Sequence, residues 1–233
     1  MALLAGCSSP GTSAKSDPGL KDYPRNFTGD AFMPERVKRV VLFPIWSGEI
    51  ATEESAAALD AVFAAALERG SRFEVVLLPR EDCRRRYGVE SISSAAALPP
   101  GMLTELDRDF NAEGVLLVDL TAYRPYRPIL LGLRAKLILF ADARVAWACD
   151  DIFSASNPAI LNGLAKFYRS AGAGNGSPPV NYTEAALISP SRFADYAATA
   201  MFATLPRRPS SIAAGSSRLE HAATDSEPRP PTP

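Results

Sequence analysis

One histidine, His221, occurs among 233 residues, and it lies in a Pro/Ser-rich stretch near the end of the sequence. A Ser-His-Asp triad, a Cys-His pair and a histidine-bearing zinc site each need an imidazole inside the folded body, so none of these chemistries has a candidate. The carboxylates close enough in sequence to act as a general acid and base, as in glycoside cleavage, are Asp150 with Asp151 and Asp107 with Asp109. Strand neighbours point to opposite faces and helix residues two apart diverge, so neither pair converges locally and both read as surface charge. Arg80 and Arg84-Arg85-Arg86 form a basic cluster, but Glu81, Asp82 and Glu90 flank it, which predicts a solvated helix face. Gly172 to Gly176 lacks the Lys-Ser/Thr of a phosphate loop and reads as a linker. The most informative cluster is Tyr123-Arg124-Pro125-Tyr126-Arg127-Pro128. Tyrosine and arginine supply rigid amphipathic area and forked donors, the residue types enriched at protein-interface hot spots. Tyr123, Arg124, Tyr126 and Arg127 are therefore the expected partner-binding residues; the alternative is a stiff hairpin whose tyrosines pack on the sheet edge. No cofactor or metal is implied.

The elements that must hold this cluster follow from periodicity. Val37 to Ile45 is a β-branched apolar run, and Thr52-Glu53-Glu54 opens an amphipathic segment with Leu59, Val62, Phe63, Ala66 and Leu67 on one face, stopped by Gly70. With Phe73 to Leu78 as a second strand, this predicts a right-handed βαβ unit. A helix over 99–110 follows, carrying Met102, Leu103, Leu106 and Phe110. Then come strands over 115–121, 131–140 and 145–149 as an antiparallel meander, with the Tyr/Arg cluster on the first connection. Helices are expected over 158–168 and from Pro190 to Leu205. The fold class is α/β, a mixed sheet of about five strands with helices packed on it. Apolar residues make up 47% and charged residues 22%, which suits a packed core. A net charge of −1 gives no electrostatic reason to bind nucleic acid.

At the start of the sequence, Leu4-Ala5-Gly6-Cys7 resembles the lipobox of bacterial lipoproteins. The resemblance implies that Cys7 takes a diacylglyceryl group and becomes the amino terminus after cleavage. Only Ala2, Leu3, Leu4 and Ala5 precede Gly6, short of an apolar signal region of roughly 7–15 residues, so the expected gene start lies upstream of Met1. Residues 1–7 are then the remnant of a signal peptide. Residues 8–30, opening Ser8-Ser9-Pro10-Gly11, form a flexible tether; 31–205 is a single α/β domain, and 206–233 is a disordered Pro-rich tail. By the enterobacterial sorting pattern, Ser8 after the cysteine implies the outer membrane. Cys83 and Cys149 would then share an oxidising compartment, and a disulfide between them stays open beside two free thiols.

The run Arg39 to Pro44, the following helix, Phe73 to Val76, Ala112 to Val118 with Tyr123 and Tyr126, Leu131 to Phe140 and Ala143 to Trp147 together resemble a group of bacterial envelope lipoproteins. The group includes the curli secretion lipoprotein, the penicillin-binding-protein activator lipoprotein and the amino-terminal domain of the Tol-system protein TolB. The likeness spans most of 35–150; this chain departs from the group's Ala-Asp-Ala with Ala112-Glu113-Gly114 and from its glycine before the Trp strand with Ala141-Asp142-Ala143-Arg144. It implies a non-enzymatic, membrane-anchored scaffold or accessory factor of envelope assembly. Partners would be the membrane, through the anchor, and envelope proteins, with a homo-oligomer left open. The alternative is a small periplasmic hydrolase acting on cell-wall or glycan material through carboxylates that meet only in three dimensions.

Overall fold

The computed structural model of the protein describes residues 26–172 and 182–209. Cys7, residues 8–25 of the expected tether, the glycine-rich stretch after Gly172, His221 and the tail from residue 210 lie outside the described residues.

The predicted βαβ unit is present. β2 (Arg39–Leu42) and β3 (Glu74–Leu77) pair in parallel, joined by α1 (Glu53–Arg69). α1 starts where Thr52 accepts a hydrogen bond from the Ser55 amide at 3.2 Å, with Glu53 and Glu54 in the first turn, and it ends at Gly70. Side-chain capping and acids at the positive end of the helix both favour that start. α2 (Arg80–Tyr87) and α3 (Met102–Phe110) lead to the meander β4 (Gly114–Arg124), β5 (Leu130–Leu139) and β6 (Val145–Ser154). α4 (Pro158–Gly172), α5 (Tyr182–Leu187) and α6 (Pro190–Phe202) follow.

Among the described residues the sheet has six strands in the order β1-β6-β5-β4-β2-β3, because a further strand, β1 (Asn26–Thr28), pairs antiparallel with β6. That corrects the tether at its end: 26–30 belong to the folded body, held by the Gly29 amide on the Ala146 carbonyl at 2.9 Å and by an Asp30–Arg144 ion pair. The tail is corrected likewise, since Pro206 is buried, the Arg207 carbonyl accepts from the Met33 amide at 2.9 Å, and Arg208 donates to the Val37 carbonyl at 2.6 Å. Both corrections have one cause. Hydrogen bonds and ion pairs to residues distant in sequence hold segments whose own composition specifies nothing.

Alternation along the strands sorts the core into two layers. One face carries Leu116, Val118, Leu133, Ala135, Leu137, Trp147 and Phe153 under α1 and α6. Trp147 is fully buried there, with Nε1 donating to Thr204 Oγ1 at 3.0 Å. The other face carries Val115, Leu117 and Ile138, with Cys83 of α2 and Met102 and Leu106 of α3 completing the cluster. Cys83 and Cys149 therefore lie in different clusters, and both are free thiols.

Candidate functional site

β4 runs out of the sheet into the expected cluster. Tyr123 still belongs to the ladder, opposite Leu131, and is half-buried against the main core, where burial raises its phenol pKa. Arg124 is turned back on its own loop, with Nε donating to the Pro128 carbonyl at 2.7 Å. Arg127 is exposed and its Nε donates to the Leu187 carbonyl at 3.3 Å, tying the loop to the end of α5. Ile129 is buried and its carbonyl accepts from the Ala155 amide, closing the base of the loop. Tyr126 is left projecting, 70% exposed, and Ile188, next in sequence to the residue that Arg127 grips, is 69% exposed. Of the four expected residues, two arginines hold the loop's shape, Tyr123 walls it, and Tyr126 is presented. Ile188 joins them through a contact made across 60 residues, which no local pattern signals.

The other candidates are committed to partners. On α2, Arg84 pairs with Glu81, Glu53 and Glu90, Arg85 with Asp82, and Arg86 with Asp109 while lying over the Phe110 ring. Arg108 and Arg86 hold the exposed Asp109 carboxyl down to about 2. Asp150 pairs with Arg134 at 2.8 Å, whereas Asp151 accepts from the Ile152 amide at 2.7 Å, on opposite faces as strand alternation requires. The arginines beside Cys83 do not activate it, because its side chain points into the core and burial pushes the thiol up to about 11. Cys149 is pushed up to about 12 by burial and then by the charges of Asp151 and Asp150.

Three polar features were not legible as such in the sequence. Asp119, 1% exposed, accepts from Ser93 Oγ at 2.9 Å, the Ser94 amide at 2.7 Å and Ser94 Oγ at 2.8 Å, clasping the loop after α2 onto β4. Its signal is an acid inside the apolar run Val115 to Leu120. Asp60 of α1 forms a two-pronged pair with Arg80, at 2.8 and 3.0 Å, and also accepts from the Ile45 amide. Burial raises the Asp60 pKa, opposed by Arg80. Beside them an open cleft of about 350 Å³ is lined by Trp46, Glu53, Arg80 and Glu90, but both glutamates are drawn onto Arg84. Both carboxylates are thus engaged by the same arginine rather than facing a substrate from either side, the arrangement that acid–base cleavage requires. Among the described residues no group of three or more histidine, cysteine or acidic side chains could hold a metal.

No family model and no curated protein matches the chain. Among solved structures it is similar to the PelC dodecamer from Paraburkholderia phytofirmans, at 18% identity over 58% of this chain and 84% of that one, with a TM-score of 0.39. Lipoprotein GNA1162 from Neisseria meningitidis is 17% identical over 60% of this chain and 99% of that one, with a TM-score of 0.39. The LpoB C-terminal domain from Salmonella enterica is 13% identical over 50% and 82%, with a TM-score of 0.34.

Proposed function

We propose that this protein is a lipid-anchored, non-catalytic lipoprotein of the cell envelope, a scaffold or accessory factor held on the outer membrane through Cys7 and facing the periplasm. The single observation that carries the binding role is the loop 124–128, where two arginine-to-carbonyl hydrogen bonds brace a connection that presents Tyr126 to solvent. A braced aromatic loses little conformational entropy on docking, which is why such residues dominate interfaces. The surface offered is Tyr126 and Ile188 with the exposed Arg127 between the elements that carry them. It suits an envelope protein that presents an apolar pocket rimmed by a carboxylate.

The alternative, a hydrolase working through carboxylates, needs two acids facing a cavity with different protonation. The acids that the fold brings together, Glu53 with Glu90, share Arg84 instead, which supports the binding reading. The test is site-specific photocrosslinking in living cells with the probe at position 126 or 188, beside a control probe at the exposed position Val89. The reading expects one discrete envelope protein captured at 126 and 188 and not at 89, with capture lost in Arg127→Ala. Equal capture at all three positions contradicts it.

A further inference from the structure

β3 (Glu74–Leu77) stands at one end of the strand order, so among the described residues only one of its two edges is paired. Its ladder to β2 fixes which backbone groups are used. The Glu74 amide donates to the Lys38 carbonyl at 2.7 Å, and the Leu78 amide to the Leu42 carbonyl at 2.9 Å. Residues of a paired strand face their partner alternately, so Glu74, Val76 and Leu78 turn toward β2 while Val75 and Leu77 turn their N–H and C=O groups away from it. No strand meets those groups among the described residues, and they form a short open edge. Val75 and Leu77 are half-buried, with their side chains against the main core.

The end of this edge where β3 begins is cationic. A cleft of about 430 Å³ opens there, lined by Lys38, Arg72, Arg208 and Val75 together with Glu68 and Glu74. Elsewhere in the domain Arg69, Arg80, Arg85, Arg134 and Arg144 each meet a carboxylate. The cations of the cleft meet backbone instead. Arg72 donates to the Phe202 and Ala203 carbonyls at 3.1 and 3.2 Å, and Arg208 donates to the Val37 and Arg72 carbonyls. Those bonds hold two guanidinium groups in place and leave their charge uncompensated. Burial and then the charge of Arg207 lower the Arg72 pKa, so a further cation stands close by. Of the two acids that line the cleft, Glu74 is paired with Arg39 at 2.9 Å, which leaves Glu68 against Lys38, Arg72 and Arg208.

We propose that this edge takes an extended peptide of another protein, added antiparallel to β3 so that its free carboxyl terminus lies in the cationic cleft. Charge sets the direction. A strand antiparallel to β3 ends where β3 begins and brings a carboxylate to Lys38, Arg72 and Arg208, whereas a parallel strand begins there and would bring an ammonium group against them. Main-chain hydrogen bonds to Val75 and Leu77 supply binding that does not depend on the peptide's sequence. The terminal carboxylate accepts charge-assisted hydrogen bonds from arginines that are already braced, and so fixes the register. β3 has four residues and is soon followed by Pro79, which has no amide to offer. The paired part of the peptide is therefore short, and the carboxylate contact supplies a large share of the affinity. The cleft lies where β2 and β3 begin, at the opposite end of the sheet from the Tyr126 loop, which follows the end of β4, a strand parallel to β2. The inference rests neither on that loop nor on lipidation of Cys7.

The test is selection from a library of random short peptides displayed with free carboxyl termini, against the full chain carrying Cys7→Ser, followed by fluorescence anisotropy of the selected peptides made synthetically. The expected peptides lose affinity by at least about tenfold when the terminus is amidated, because a hydrogen-bonded charge is lost. Lys38→Glu, at an exposed position, is expected to cost a similar factor, while Lys166→Glu, an equal charge change at an exposed position of α4, leaves binding as it was. N-methylation separates an added strand from simple charge attraction. Methyl groups on the peptide amides that face β3 are expected to abolish binding, and those on the amides between them to be tolerated. A library that yields no peptide, affinity indifferent to amidation, equal effects of Lys38→Glu and Lys166→Glu, or N-methylation with the same effect in both phases would each overturn the proposal. A dimer of the chain that Val75→Pro dissociates in sedimentation would overturn it too, since the edge would then hold a second copy.

Discussion

Asp119→Ala is the substitution whose cost can be worked out most directly from the structure. The carboxylate is 1% exposed and accepts three hydrogen bonds at 2.7 to 2.9 Å, two of them from Ser94, itself 3% exposed. Removing it leaves the Ser94 amide and hydroxyl buried without an acceptor, at about 1–3 kcal/mol each, while the Ser93 hydroxyl, partly exposed, recovers water. Loss of the buried charge returns part of this, since its desolvation no longer opposes folding. The net expectation is about 3 kcal/mol, which for a chain of this size lowers the Tm by roughly 6–12 °C. Urea denaturation of Asp119→Ala, Ser94→Ala and the double variant measures it. The single variants should be strongly non-additive, with a coupling of about 1–2 kcal/mol, because one partner's loss already strands the other. Hydrogen exchange in the loop around Ser93 and Ser94 should rise before the global transition. A cost of Asp119→Ala below about 1 kcal/mol, or simple additivity, would refute the clasp.

Further outcomes follow from neighbouring features. Arg80→Ala strands the Asp60 carboxylate, whose partner side chain is 16% exposed and its own 13%, and should cost about 2–3 kcal/mol at neutral pH. With Arg80 gone, burial raises the Asp60 pKa further; a raised acid gives its stability at low pH and loses it as pH rises, so the deficit should shrink toward pH 4 in pH-resolved melts. The Cys83 and Cys149 thiols, pushed up to about 11 and about 12 from 9.0, should resist alkylation at pH 8 in native protein, read by intact mass. Above pH 9 the unfolded thiols ionise and the folded ones do not, so stability should fall between pH 9 and about 11, less steeply in Cys83→Ala. Gly132→Ala sets a Cβ 2.5 Å from Thr121 Oγ1 and 2.8 Å from the Ala122 amide nitrogen, and should cost about 1–3 kcal/mol in thermal denaturation by forcing apart β4 and β5.

Those features also mark how far the sequence could be read. The βαβ unit and the meander were legible because Val40 to Phe43, Val115 to Leu120 and Leu131 to Leu139 carry strong apolar patterns, and because Gly70 and Thr52 punctuate α1. β1 was not, since Asn26, Phe27 and Thr28 are all exposed and exist as a strand only through β6. The second half of β6 was hidden by Asp150-Asp151, which break the apolar pattern while their backbone keeps pairing with Leu133 and Arg134. At the candidate site, composition singled out Tyr123, Arg124, Tyr126 and Arg127 together, without saying that Tyr126 is the one presented. The division of labour around it, with Arg124 and Arg127 spent on carbonyls and Ile188 brought alongside, depends on a loop closing against α5 and has no sequence signature. Asp119 was visible as an odd acid in an apolar strand, but its partners Ser93 and Ser94 lie in a loop that periodicity does not address.

The most direct test of the central reading is intact mass with membrane fractionation of the protein expressed from its genomic locus, beside Cys7→Ser. The account predicts a lipid-modified amino terminus at Cys7, the unsubstituted protein in the outer-membrane fraction and the Cys7→Ser protein released from it. An unmodified chain retaining Met1, recovered in the same soluble fraction with or without Cys7, would contradict the anchor and the envelope role built on it.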